Sequence, residues 1–464
     1  MEAPTPLSQS RVWSLQHDFY DARGSDAFAD VPHQVVDNPF VAAAYARVVS
    51  GFLRDCARGA LDLDEPLYVV ELGAGAGRFA HGFVRELGER LERLPLQLPP
   101  IVYVMTDFAD TTIADWERND ALADERIDFA RFDVARDATL RLRRRGVELT
   151  RLANPLVVLA NYLFDSVPAD AFAVADGAIS ECLVAVEGDD VDTMELTYTR
   201  RPIAADHYGD ADLDALLERY RTSLSDTVVT IPRAAIDCLG RLRALSGDRL
   251  LLLSADKAHS TEEALDLREE PDVSRHGGCF SLMVNFHALG LYARRNGGSA
   301  YDGGDRHETI DVAAYVFGDP PGGYAETALA YDDAIERFSP DDHFTLTEGV
   351  DRVAGELTVA ELVALLRLTG WDAFTLLSVA EALRERLADA DEAVVEDLRQ
   401  ALYATYDGHF SVPGEGDLPF AIGLLLYDMG DYEDALEFFE ASRDRHGPHP
   451  ATEKNIELCT AQLA

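Results

Sequence analysis

Five short apolar runs between residues 67 and 256 constrain the fold of this chain more than any other feature. They are LYVVEL (67–72), IVYVMTD (101–107), IDFARFDV (127–134), PLVVLAN (155–161) and RLLLLSAD (249–256). A run with almost no polar position suits a strand covered on both faces, the situation in a parallel sheet sandwiched by helices. The stretches between them, such as Arg78 to Leu94 and Thr112 to Asp124, place apolar residues at helical spacing. Strand alternating with helix predicts an α/β chain built on an open, doubly wound Rossmann-like sheet. Ahead of it, residues 1–60 read as a helical N-terminal extension. Turn signals at Val31-Pro32-His33 and Asn38-Pro39 lead there into a helix from Pro39 to Asp55. The α/β domain spans 61–344, interrupted at about 206–248 by a polar helical insertion expected to lie over the ligand end of the sheet. From 345 to 464 strand signals fade and amphipathic helices predict an all-α domain.

Charge narrows the partners. The 464 residues carry 84 acids against 41 bases, a net charge of -43, and every base except Lys257 and Lys454 is arginine. Such a field repels polyanions, so no nucleic-acid partner is expected. A GC-rich genome accounts for much arginine and aspartate; the size of the acidic excess favours a halophilic, acidic proteome, in which salt screens the self-repulsion. No run of 18 apolar residues and no secretory leader is read, which predicts a soluble, cytoplasmic protein without a membrane partner. Five scattered cysteines with no C-x-x-C pair argue against a disulfide framework or a zinc site, and no histidine pair has ligand spacing, so no metal is expected.

The chemistry centres on Val69-Val70-Glu71-Leu72-Gly73-Ala74-Gly75-Ala76-Gly77-Arg78, which follows a predicted strand and opens a helix. Gly73, Gly75 and Gly77 allow a tight turn and a close backbone approach to a ligand. A dinucleotide fingerprint would need glycine where Arg78 stands, and no Gly-Lys-Ser/Thr follows to make a P-loop. An acid two residues before the first glycine resembles motif I of class I S-adenosylmethionine-dependent methyltransferases. That resemblance implies S-adenosylmethionine as cofactor, with Glu71 and the glycines at the loop. Asp107, ending the second strand, then falls at the ribose hydroxyls, and Asp133 with Val134, after the third, falls near the adenine. The donor is a sulfonium cation, which a net-negative site suits.

The fourth strand ends in Asn161-Tyr162-Leu163-Phe164-Asp165-Ser166-Val167-Pro168. Asn, then Asp four residues on, then Pro three further resembles the "NE-x-x-D-A-x-P" motif of the MidA family, which includes the mitochondrial arginine methyltransferase that assists assembly of respiratory complex I. LLLSAD ending at Asp256 and Met283-Val284-Asn285-Phe286-His287 agree in order with two further family segments, so the likeness covers about residues 10–300. It implies Asn161 and Asp165 as catalytic residues at the methyl-transfer end, Asp165 orienting or deprotonating the acceptor; Asp165 also fits a simple capping role. Tyr162 stands where the family has glutamate, Asn285 where it has aspartate and Lys257 where it has tyrosine. Two missing acids weigh against an arginine acceptor, whose guanidinium needs carboxylates to localise a lone pair. His276 and His287 read as packing residues rather than substrate contacts. Near the C-terminus, Ile422-Gly423, Tyr427, Gly430-Asp431-Tyr432, Ala435, Phe439 and Pro448 resemble one tetratricopeptide repeat at about 417–450, a surface that could recruit a protein partner; ordinary helix-hairpin packing would give much of the same pattern. The first expectation is a methyltransferase acting on a protein, with arginine as one acceptor. A small-molecule acceptor and a non-catalytic protein-binding scaffold are the alternatives.

Overall fold

The computed structural model describes residues 3–464 apart from 30–33, 60, 272, 305, 307, 308 and 413. The turn expected at Val31-Pro32-His33 lies outside the described residues. The chain divides into two compact units, residues 1–37 with 41–341, and 38–40 with 342–464.

All five apolar runs form strands: β1 (Leu67–Leu72), β2 (Ile101–Asp107), β3 (Ile127–Arg131), β4 (Leu156–Asn161) and β5 (Leu250–Asp256). With β6 (Ser299–Tyr301) and β7 (Asp311–Phe317) they make a seven-stranded sheet ordered β6-β7-β5-β4-β1-β2-β3. From β5 to β3 every neighbouring pair is parallel, with registers such as Leu67 to Ile101 and Leu156 to Leu250, whereas β7 runs antiparallel to β5. β1 and β5 are buried along their whole length, which is why they contain no polar alternation. The chain steps outward from β1 to β3 and then crosses back to β4 on the other side of β1. Order therefore reverses between β1 and β4, the place where an open α/β sheet leaves a crevice at its carboxyl ends.

Helices cover the sheet. α1 (Val12–Arg23) and α2 (Pro39–Cys56) precede it, and α3 (Arg78–Glu92) and α4 (Asp110–Glu117) follow β1 and β2. α3 buries Phe79, Ala80, Phe83, Val84 and Leu87, one stripe at helical spacing.

The insertion departs from the sequence reading in two ways. It contains a strand, Asp226–Ile231, between α5 (Ala211–Ser223) and α6 (Arg233–Ser246). That strand pairs antiparallel with Asp170–Ala175, which pairs with Ala178–Glu187, itself flanked by Glu195–Pro202 and Thr5–Pro6; a second, antiparallel sheet results. Moreover, α5 and α6 are not a loose cover. Leu213, Leu217 and Tyr220 of the first and Ile236, Leu239 and Leu242 of the second belong to the same buried cluster as Val70, Val104 and Val158 of the main sheet.

The second unit is helical. Helices 359–368, 373–386, 392–407, 418–429, 432–446 and 450–463 enclose Leu362, Leu376, Leu398, Leu425 and Phe439 in a core of their own. The hairpin of 418–429 and 432–446 turns at Gly430, whose φ of +87° is left-handed. In the same hairpin the Phe439 ring lies 2.8 Å from where a Cβ on Gly423 would stand, so any side chain there would force the helices apart. Among the described residues, no helix is long and apolar enough to cross a membrane.

Asp55, fully buried in α2, accepts the Thr327 amide and hydroxyl at 2.8 Å each, and also the Glu326 amide at 3.2 Å and Arg58 Nη1 at 2.8 Å. This carboxylate fixes α2 to α8 (Ala325–Tyr331). Asp55→Ala leaves those donors unpaired in the interior and should cost about 3 kcal/mol, read as the loss of unfolding free energy in denaturant titration at high salt.

Candidate active site

The loop after β1 explains the three glycines. Gly73, Gly75 and Gly77 all adopt positive φ, +65°, +56° and +93°, a region costly for residues with a Cβ. Gly77 is the N-cap of α3, so the loop delivers the backbone directly to a helix N-terminus. A Cβ at Gly73 would stand 3.0 Å from Leu163 Cδ1, and one at Gly75 would stand 3.2 Å from the Phe28 ring. Three backbone ties hold the turn: Thr106 Oγ1 donates to Glu71 O at 2.8 Å, Ala74 N to Thr106 O at 2.9 Å, and Trp116 Nε1 to Gly75 O at 2.9 Å.

Two cavities of about 790 and 580 Å³ open at the carboxyl ends of the strands. They share Tyr20, Phe28, Gly73 and Tyr162 and so form one two-lobed cleft. Asp107, Phe108, Asp133 and Val134 line the larger lobe; Glu71, the loop from Gly73 to Gly77, Arg78 and Asn161 line the smaller one. Eight of the nine residues singled out in the sequence thus meet in one cleft. The exception is Asp165. It sits in a short turn, Phe164–Ser166, buried and hydrogen-bonded by Ser166 Oγ at 2.8 Å. It does not line the cleft. Beside it, the Asp256 carboxylate takes the amides of Phe164 and Asp165 at 3.4 Å. Burial raises both carboxyls; the neighbouring Asp165 raises Asp256 further, whereas the Ser166 hydroxyl and Lys257 hold Asp165 back. Asp256 thereby ties down the Phe164–Ser166 turn, and the Asp165 side chain is absent from the lining of both lobes.

The cleft acids are tuned by burial. Glu71 accepts a hydrogen bond from Tyr103 Oη at 2.8 Å, yet burial outweighs it and pushes the carboxyl up to about 8. Burial likewise pushes Asp107 up to about 7, against the bond from Ala109 N at 2.8 Å. Asp133 accepts Ala135 N at 2.9 Å and faces Arg136 at 3.6 Å. Asn161 accepts Tyr45 Oη through Oδ1 at 2.8 Å, while its buried Nδ2 has no partner among the described residues. An amide left half-satisfied at the cleft is a group prepared for a ligand.

One wall was not foreseen. Trp13, Gln16, His17, Tyr20 and Phe28 of the N-terminal extension line the cleft, and no residue of the 206–248 insertion does. Gln16 holds this wall in place by exchanging two 2.8 Å bonds with the backbone of Phe280, while His17 packs on Phe108 with ring centroids 4.1 Å apart. The contacts that place these residues are remote in sequence, Gln16 with Phe280 and His17 with Phe108, so no local pattern carries them. Tyr162 was noticed as a departure from a motif, not as a strained residue; its φ of +47° is rare for a large side chain.

Asn285 and the two histidines lie off the cleft. Asn285 caps α7 (Phe286–Arg295), taking Ala288 N at 2.8 Å through Oδ1 and donating Nδ2 to Thr230 O at 2.9 Å. The second bond needs an amide donor, which an aspartate could not supply. His287 pairs with Tyr220 Oη at 3.1 Å and His276 with Ser281 Oγ at 3.1 Å.

Residues 54–253 match a family described as "Putative S-adenosyl-L-methionine-dependent methyltransferase". Among solved structures, the chain is similar to a Burkholderia thailandensis protein bound to S-adenosyl-homocysteine, at 15% identity and a TM-score of 0.45, over 68% of this chain and 88% of that one. It is also similar to the N-methyltransferase NodS of Bradyrhizobium japonicum in complex with S-adenosyl-L-homocysteine, at 11% identity and a TM-score of 0.28, over 67% of this chain and 100% of that one. No curated protein matches it. The segment is an S-adenosylmethionine-dependent methyltransferase domain, and S-adenosylmethionine is its methyl donor. The cleft fits that donor: the glycine cradle would be filled by any Cβ, and strand-end carboxylates stand ready for hydroxyl and amino hydrogens.

Glu71 and Asp107 keep protons in the folded state that the unfolded chain releases near pH 4. Their contribution is therefore fully present below about pH 4 and is lost as pH rises through 7 and 8. Without ligand, the melting temperature of Glu71→Gln relative to wild type should climb between pH 6 and 9; a difference that ignores pH contradicts the assignment.

Proposed function

We propose that the chain transfers the methyl group of S-adenosylmethionine to a nitrogen on a protein acceptor, arginine among the candidates, as the resemblance to the MidA family suggests. The observation that carries the reading is the convergence of the glycine loop and the acids ending β1, β2 and the β3 segment on one two-lobed cleft. When bound, the donor supplies a methyl carbon already activated by its sulfonium. What remains for the protein is alignment and exclusion of water.

Each residue has a part in that work. The Gly73–Gly77 backbone and the start of α3 would receive the amino-acid end, Asp107 the ribose hydroxyls, and Asp133 with Val134 the adenine. The Asn161 amide, with Nδ2 still to be satisfied, would hold a group at the smaller lobe. Asp165 acts indirectly, by shaping the loop that carries Asn161 and Tyr162. The Trp13–Phe28 wall would keep water away from the reacting carbon. Two features support a protein acceptor: the surplus of negative charge favours a cationic side chain over an anionic metabolite, and the helical unit 342–464, with its repeat-like hairpin, is suited to recruiting a partner.

Calorimetric titration in molar salt should show S-adenosylmethionine binding, with Asp107→Ala weakening it roughly tenfold or more by removing charge-assisted bonds. Incubated with methyl-labelled donor and a lysate of the source cells, the protein should pass label into protein, recoverable as methylated arginine or lysine. Label found only in small molecules would overturn the protein acceptor.

A further inference from the structure

The four residues common to both lobes are a glycine and three aromatic rings, Tyr20, Phe28 and Tyr162. A donor with adenosine in the larger lobe and its amino-acid end in the smaller one must place its sulfonium where the lobes meet. No carboxylate is among the shared residues. Glu71 is engaged by Tyr103, and Asp37, in the smaller lobe, stands 3.9 Å from Arg78. We propose that Tyr20, Phe28 and Tyr162 form an aromatic cage that grips the cationic sulfonium and distinguishes the methyl donor from its demethylated product. This inference rests on the methyltransferase reading above.

Each ring is held for the purpose by a separate constraint. Tyr20 packs edge-on against Phe19, with ring centroids 5.1 Å apart at 82°. Phe28 lies against the glycine loop, 3.2 Å from the position of a Gly75 Cβ, with its centroid 6.0 Å from that of Tyr20 at an interplanar angle of 34°. The two rings are tilted rather than stacked. Tyr162 reaches the junction through its left-handed backbone, secured by its amide donating to Ala255 O at 2.7 Å. Burial and the neighbouring Asp165 and Asp256 carboxyls keep its phenol protonated, so the ring presents a neutral π face to a cation.

The consequence follows from the electron balance of the transfer. The acceptor nitrogen's lone pair forms the new C–N bond, the C–S bond breaks with its electrons passing to sulfur, and the acceptor's proton leaves to water. Sulfur thereby becomes a neutral thioether. A cage that attracts the sulfonium has no comparable hold on the product, which favours release of S-adenosylhomocysteine over retention.

The test compares the affinities of S-adenosylmethionine and S-adenosylhomocysteine by calorimetry on the full chain in molar salt. Wild type should favour the sulfonium by roughly three- to thirtyfold. Tyr162→Leu and Phe28→Leu should each bring that ratio toward one while binding of S-adenosylhomocysteine persists, itself the evidence that the variant is folded; Tyr162→Phe should keep the ratio. Equal affinity of wild type for both ligands, or a ratio unchanged in both leucine variants, overturns the cage alone. Failure of folded wild type to bind either ligand overturns the cofactor reading and the cage with it.

Discussion

The structure depends on a backbone that turns left-handed three times in five residues. Gly73, Gly75 and Gly77 take the chain from the end of β1 to the start of α3 without side chains, and this happens at the point where strand order reverses. A parallel sheet alone would leave a crevice there. The glycines make it a cradle, since Leu163 and Phe28 stand only 3.0 and 3.2 Å from where Cβ atoms on Gly73 and Gly75 would lie. Everything else at the site is arranged around that turn: Trp116 and Thr106 pin its backbone, the strand-end acids flank it, and the N-terminal extension covers it.

Electrostatics sort the acids into two groups. Most of the 84 serve the surface and set the net charge of -43. A few are buried, and burial raises Glu71, Asp107, Asp165 and Asp256 above the ordinary carboxylate range. In the cleft itself, Glu71, pushed up to about 8, holds its proton at neutral pH until a ligand supplies hydrogen-bond donors or positive charge. The free site is therefore less negative than its composition suggests, which gives the aromatic rings at the junction more weight in holding a cation.

The main sheet was legible because its strands, covered on both faces, must be apolar throughout. The antiparallel sheet was not. Glu195–Pro202 is largely exposed and reads ELTYTRRP, with no apolar run, while DTVVTI at 226–231 is too short to separate from the helices on either side. The floor of the cleft was legible for the same reason as the sheet, since its acids end strands. Its wall was not: Gln16 meets Phe280 across 264 positions, and no local pattern carries that contact. Asp165 shows the remaining difficulty. Sequence spacing places it near the site, but only packing reveals that its amide is held by Asp256 and its carboxylate by Ser166, away from the lining of both lobes. Asn285 is similar: its helix cap and its bond to Thr230 O are visible only in the packed chain.

A crystal structure of the chain with S-adenosylhomocysteine, grown in molar salt, would show whether the cleft is the donor site. The ribose should lie on Asp107, the adenine beside Asp133 and Val134, the amino-acid end over Gly73–Gly77, and the sulfur among Tyr20, Phe28 and Tyr162. Ligand bound elsewhere, or a cleft that stays empty at saturating concentration while the fold is intact, would contradict that assignment.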